Sequence, residues 1–522
     1  MNEPEQRNRS RWLQSSMWPH SQSKTIFPRS DTIVTSSRNE PSVTSTNMLD
    51  KDVNLRKQIH YGAVRGPLSE PGGGAVRKRL RRAKPIMRSG ALVTIGFFNL
   101  YLAIHYIRMA LSQTYEPSLL DETTCLIVLP LAFLFLKNRR SWLPTLSMLG
   151  YWAVLMLGAI IVPNRGVSQP ISAILTVALD TKLAIMTFAF AWLFKRTGSA
   201  TQVFESLSIL IIILCLINIP FIFHDLSTGV GIKGDPLAVK GVFVQPHGLF
   251  LAQTEVAWLN TFGAFVAATR YRLRKRTLDL MLCALFVMIV CLVVSIKEMV
   301  GCFAGLLIIF RTPRSGYGSF GIQLAVLAGV GAFVLNYTEL GSAILGHVGM
   351  FYGSDAIENV RAGMLEASFR IAAEHFPLGT GGGTFGSAAS YQFGNYSQLY
   401  FDYGIYLLWG GSPDFSSFLQ DMGWAKCIAE GGALGVIFYL LFLVSCGVYL
   451  FYPNPKAPST DEVLRRLCLA FLLLILAIST ASSPFTDELL TFVAAISLGY
   501  GMSRPLPAGH ARNGVRSAAP TR

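Results

Sequence analysis

Charge is scarce in this chain: only 14% of its residues are charged, against roughly 25% in soluble domains. That shortage, with 51% hydrophobic residues and a mean hydropathy of +0.43, excludes a string of soluble domains, which 522 residues would otherwise suggest. Cysteine is sparse and unpaired in pattern. The eight cysteines fall in or beside apolar runs with no CxxC spacing, so they read as small buried hydrophobes, not as a zinc site or dithiol. The first 88 residues lack any sustained apolar segment, so cleavage as a signal peptide is not expected. Acids are outnumbered 30 to 45 by Lys and Arg. A nucleic-acid groove is nonetheless not expected, because residues 1–88 hold 17 of those bases against 7 acids. Most of the remaining positive charge sits between apolar runs, where it acts as an orientation signal.

What the chain does have is length of apolar sequence. Runs at about 89–110, 119–136, 142–162, 171–194, 204–223, 247–269, 278–296, 298–310, 319–336, 427–451, 464–483 and 487–503 are each candidates to cross a hydrocarbon layer about 30 Å thick. The expectation is an all-α, polytopic membrane protein of about twelve helices. Residues 1–88 read as a disordered basic tail ending in the cluster Arg77–Lys84, 89–503 as the membrane domain and 504–522 as a second basic tail. Placing the first tail in the cytoplasm puts Lys137/Arg139/Arg140, Lys195/Arg196, Arg270–Arg276, Arg311/Arg314 and Lys456/Arg465/Arg466 on that side too. Asp121, Glu122, Asp225, Asp235, Asp487 and Glu488 fall opposite. The alternation predicts both termini inside and a tight outer turn at Lys297.

One connection is far longer than the rest. The stretch 337–426 is expected on the outer side, rich in Phe, Tyr, Trp and Leu, and so folded instead of disordered. Ile357, Val360, Met364, Leu365, Phe369, Ile371 and Ala372 repeat at helical spacing, predicting an amphipathic helix on the membrane surface. Ionisable residues near this face are candidates for a polar cavity: Lys240, His247, Glu255, Lys297, Arg361, Arg370, Asp402, Asp421 and Glu430. Gly379, Gly381, Gly382 and Gly383 could form a backbone nest for an anion, with Arg361 and Arg370 adding bidentate contacts to phosphate. Without a following Lys-Ser/Thr the glycine run is no nucleotide loop. Asp180 and Lys182 read as a structural polar pair or a path lining, and His375 as a hydrogen-bonded structural residue.

Arg361, then His375-Phe-Pro-Leu-Gly-Thr-Gly-Gly-Gly-Thr-Phe385, then Asp421 and Glu430-Gly-Gly-Ala-Leu-Gly435, with Lys240-Gly-Val-Phe-Val-Gln-Pro-His247 and Val294-Ser-Ile-Lys297 upstream, resemble the O-antigen polymerase and ligase superfamily over about 89–505. Its exopolysaccharide polymerases look closest. The resemblance implies a glycosyltransferase-C-like membrane fold in a bacterial inner membrane and a long helical periplasmic loop. It also implies metal-independent, cofactor-free glycosyl transfer from a polyprenyl-diphosphate-linked oligosaccharide to a second lipid-linked glycan. Arg361, Lys297, Arg370 and Lys240 would stabilise the leaving diphosphate, His247, Glu255 and the glycines would line the substrate site, and Asp421 before Glu430 would serve as base. Membrane lipids, a flippase and chain-length regulators are the implied partners. Two departures stand out: Lys297 replaces the family's usual Arg, and Asp421 stands where ligases carry His. The second favours a polymerase over a ligase. A twelve-span secondary transporter is the rival from another class, although its usual central cytoplasmic connection and repeated halves are not visible.

Overall fold

The computed structural model describes residues 89–111, 120–162, 170–234, 236–240, 243–311, 338, 360–391, 396–416, 418–452, 459–485 and 487–504. The run at 319–336, the first part of the long connection, the tails at 1–88 and 505–522, and the Lys240 side chain lie outside them. The described chain is helical nearly throughout. Its α-helices are α1 Ser89–Leu111, α2 Leu120–Leu136, α3 Trp142–Ile161, α4 Pro170–Thr197, α5 Ala200–Thr228, α6 Gln253–Arg274, α7 Thr277–Val293, α8 Ile296–Phe310, α9 Val360–Glu374, α10 Gln398–Asp402, α11 Gly423–Phe451, α12 Ser459–Ile478 and α13 Glu488–Ser503. Two-residue strands β1 Val239–Lys240 and β2 Phe243–Val244 pair antiparallel before α6. Eleven of these helices overlie eleven of the apolar runs. Two boundaries shift: 247–252 is a turn ahead of α6, and 479–483 is a turn after α12.

Five helical segments, 90–111, 139–161, 171–197, 200–228 and 423–451, are long and apolar enough to cross a membrane, and α7 and α13 are shorter apolar helices. Their outer faces agree with that reading. Leu92, Ile107, Trp142, Ile160, Phe223 and Val444 are all more than half exposed. Withdrawing a side chain of this kind from water is worth about 1.5–3 kcal/mol, so such faces call for a hydrocarbon surrounding. Inside, aromatic rings interlock. Phe98 stacks on Phe194 at 5.7 Å and meets Phe190 at 4.7 Å, while Tyr101 stacks on Phe492 at 4.0 Å. Small residues let α4 and α13 approach; a Cβ on Gly499 would stand 2.9 Å from the Thr187 carbonyl oxygen.

Basic side chains close one end of the bundle by satisfying helix carbonyls that have no partner within their own helix. Arg272 donates to Ile309 O and to Arg311 O at 2.8 Å, Arg466 also donates to Arg311 O, and Arg465 donates to Leu450 O. Arg140 reaches Met502 O at 3.3 Å, and Arg504 pairs with Asp461 at 2.8 Å. At the opposite end Glu488 takes Arg108 at 2.8 Å and His105 at 3.0 Å, and Gln245 donates to Val293 O at 2.8 Å. The end of α7 and the end of α8 therefore lie at opposite ends, and the chain reverses between them at Val294–Ser295. Val294 adopts the left-handed conformation, φ 53°, an unfavourable one for a β-branched residue that so short a turn imposes. Lys297 sits just past this turn, in the first turn of α8.

Candidate functional site

The long connection has a core of its own. Val360, Met364, Ala367 and Ile371 line one face of α9 and pack with Phe385, Leu399, Tyr400, Ile405, Leu419 and Met422, and with Ala425 and Ala429 of α11. This is the helical period expected there, but its apolar face is turned into protein. Arg361, next to buried Val360, is thereby held at the start of α9. Its Nε donates to Asp421 Oδ2 at 3.0 Å and its Nη2 donates to the same oxygen. The guanidinium carbon lies 5.0 Å from the centre of the Phe418 ring. Both members of the pair keep about a quarter to a third of their side chains exposed, 26% and 30%. Lys297 is close enough for the charges of Arg361 and Asp421 to act on it. Its Nζ donates to Ala481 O at 3.2 Å and to Ser482 Oγ. Lys297 also lies 3.9 Å from buried Glu298, so two cations and two carboxylates, from α8, α9 and the approach to α11, share the neighbourhood beside the turn after α12.

The glycine run does not itself form an anion nest; the residues just beyond it, Thr384 to Ser387, cup a carboxyl group, and that group is the protein's own. Glu430 is fully buried, and its Oε1 accepts from Thr384 N at 2.8 Å, Phe385 N at 2.9 Å and Ser387 Oγ at 2.7 Å. Neighbouring N–H groups are also engaged. Thr380 N donates to Ala429 O, Gly381 N to Glu430 O, Gly382 N to Leu155 O and Gly386 N to the Tyr400 hydroxyl. Gly432, at φ 57° and ψ −159°, breaks α11 so that Ala429 and Glu430 offer carbonyls to the loop. The approach is close: a Cβ on Gly381 would lie 2.1 Å from Ala159 N. The expectation that Gly379, Gly381 and Gly383 cradle a substrate phosphate is therefore corrected, because these glycines are buried and wedged against α3, α4 and α11. Glu430 is likewise a clamp within the protein, its side chain fully buried.

Arg370 parts company with Arg361. Nine residues are about two and a half helical turns, so it projects from the opposite face of α9, exposed, with its guanidinium 5.3 Å from the Tyr403 ring. Tyr403 donates to Glu374 at 2.6 Å, and burial followed by that bond pushes its phenol up, leaving it a neutral donor. The shared contact with phosphate expected for the two arginines is not supported by this geometry. His247 and Glu255 belong to another neighbourhood. The N–H groups of His247 and Gly248 donate to buried Asp225 of α5 at 2.8 and 2.7 Å, and Glu255 feels Asp487 and Lys233. Asp402 is exposed and accepts from Gln398 at 3.1 Å. His375 holds the end of α9, its carbonyl accepting from Leu378 and Gly379.

Asp180 and Lys182 do not pair with each other. Lys182 donates to Asp121 at 2.6 Å and to Glu122, whereas Asp180 accepts from Lys426 at 2.5 Å and from Tyr151 at 3.1 Å. Lys426 was absent from the expected set, although its place one turn before Glu430, at the entry to an apolar run, is visible in the sequence. Phe418 and Ser482 had no comparable signal. Among the described residues, no group of three or more His, Cys, Asp or Glu side chains converges as metal ligands would.

No family model and no curated protein matches the chain.

Proposed function

We propose that this protein is a polysaccharide polymerase of the O-antigen polymerase and ligase type. In this reading the eleven helices that overlie apolar runs belong to a twelve-span, glycosyltransferase-C-like fold in a bacterial inner membrane. Both termini are cytoplasmic, and the connection that carries α9 and α10 faces the periplasm. The observation that carries the proposal is the partly exposed Arg361–Asp421 pair with Lys297 beside it. A half-open ion pair is weakly held in water, so an incoming diphosphate can compete with Asp421 for the Arg361 donors. Binding then does two things at once. It supplies the leaving group with two fixed cations, and it releases the Asp421 carboxylate to act as base.

The acceptor hydroxyl oxygen bonds to the anomeric carbon of the donor sugar. The bond from that carbon to the diphosphate oxygen breaks with its electron pair on the diphosphate, and the hydroxyl proton passes to Asp421. Glu430 acts at a remove, by seating the glycine loop against α11. The test is the profile of lipid-linked glycans in cells lacking the protein. Accumulation of single lipid-linked repeat units is expected. Long polymer that is complete but unattached would replace this reading with a ligase, and an unchanged profile would remove both.

A further inference from the structure

A rigid aromatic step leads away from the Arg361–Asp421 pair. The Phe418 ring that lies under the Arg361 guanidinium is 5.0 Å from the Trp409 ring, and Trp409 is 5.3 Å from Phe415. Trp409 is 71% exposed and Phe415 40%. Large aromatic side chains at such exposure forgo burial worth having, yet the backbone carrying them is well fastened. Phe418 N donates to Gly410 O at 3.3 Å, Gly411 N to Leu408 O at 2.9 Å and the Tyr396 hydroxyl to Gly411 O. Between the rings runs the turn Ser412-Pro-Asp-Phe415, closed by Phe415 N donating to Ser412 O and Oγ, both at 3.1 Å. Pro413 in its second position is well suited to such a turn.

We infer that Trp409 and Phe415 are a platform for a pyranose ring of the glycan, one ring removed from the reacting diphosphate. This inference rests on the polymerase reading and adds to it where the sugars lie. Sugar rings present faces of C–H groups that pack on aromatic rings, and edges of hydroxyls that need hydrogen-bond partners. The turn offers both, because exposed Asp414 and the Ser412 hydroxyl stand on the same few residues as the rings. The alternative occupant of exposed aromatics in a membrane protein is the bilayer interface. Asp414 argues against it, since a carboxylate on the inserting tip would be drawn into lipid with the rings. Preformed, rigid presentation also lowers the ordering cost of binding a ligand.

The test uses the full chain in lipid nanodiscs and the free oligosaccharide repeat unit, released by mild acid from the lipid-linked pool of cells lacking the protein. Binding is read by titration calorimetry. Trp409→Ala is expected to weaken binding by about tenfold or more, and Trp409→Phe by a smaller factor because a ring face remains. Asp414→Asn is expected to fall between Trp409→Phe and the unaltered chain. Equal binding by Trp409→Ala and the unaltered chain overturns the platform while leaving the polymerase reading in place. Failure of the unaltered chain to bind the glycan overturns both. Quenching by spin-labelled lipid that disappears in Trp409→Phe would put this residue in the bilayer and also overturn the platform.

Discussion

Two ion pairs of the same chemistry sit at different depths in this protein. Lys426–Asp180 is closed: both side chains are less than a tenth exposed, and Tyr151 fills a further position on the carboxylate. Arg361–Asp421 is open, with roughly a quarter of each side chain in reach of solvent and an aromatic ring on one side. The closed pair cannot exchange partners without stranding a charge in a low-dielectric interior, so it can only hold helices α4 and α11 together. The open pair costs little to separate. That difference divides the acidic and basic residues of this end of the molecule into those that build and those that can act.

The sharpest way to break the comparison is at the closed pair. Lys426→Ala leaves Asp180 buried without its cation, a loss of about 3–5 kcal/mol. Thermal unfolding of the purified protein in detergent should show it, along with a reduced amount of folded protein in membranes. Replacing both partners, Lys426→Met with Asp180→Asn, should be milder than Lys426→Ala alone. A double variant as unstable as the single one would mean that the pair is not the unit of stability there. Next in size is Glu430→Gln. The amide oxygen can still accept from Thr384 N and Phe385 N, but an NH2 group replaces the second carboxyl oxygen in a fully buried place, and a buried donor left unpaired costs about 1–3 kcal/mol. The variant should melt lower, and under the proposed polymerase reading it should keep a measurable share of polymer synthesis, because there Glu430 positions the loop and Asp421 takes the proton. Abolished synthesis in a protein of normal stability would return Glu430 to the chemistry.

The same contrast explains how far the sequence could be read. Membrane helices are written in long apolar runs and in the sidedness of basic loops, both local signals. Accordingly, eleven described helices overlie the expected runs, and even the reversal beside Lys297 was legible from charge alternation. Within α9, the spacing of Val360, Met364 and Ile371 showed a buried face. Which surface that face meets depends on contacts sixty residues away. The glycine run predicts an anion nest, but Gly379, Gly381 and Gly382 donate to carbonyls, and only folding brings the Glu430 carboxyl group to Thr384 and Phe385 just beyond the run. Arg361 and Arg370 were grouped although nine residues on a helix separate their directions by about half a turn, an argument open to the sequence alone. The partners of Asp180 and Lys182 lay in distant segments, and no spacing rule could have supplied them.

The smallest structural effect belongs to the open pair, and there the functional effect should be largest in proportion. Arg361→Ala removes a half-exposed ion pair and a cation over Phe418, which together should cost about 1 kcal/mol or less of stability. Folded protein in the membrane should be nearly normal, and polymer should be absent. Arg361→Lys keeps the charge and loses the fork that can bridge two phosphate oxygens, so polymer of reduced amount is expected. Asp421→Asn removes the proton acceptor but leaves an oxygen for Arg361, so the site should still bind the lipid-linked donor while failing to join it. Quantifying polymer per molecule of membrane protein for all three separates the roles. Loss in both Arg361→Ala and Asp421→Asn, with partial rescue by Arg361→Lys, is what a diphosphate-binding fork beside a base requires. Full activity in Asp421→Asn alone would move the proton to another acceptor and leave Arg361 and Lys297 as the surviving part of the site.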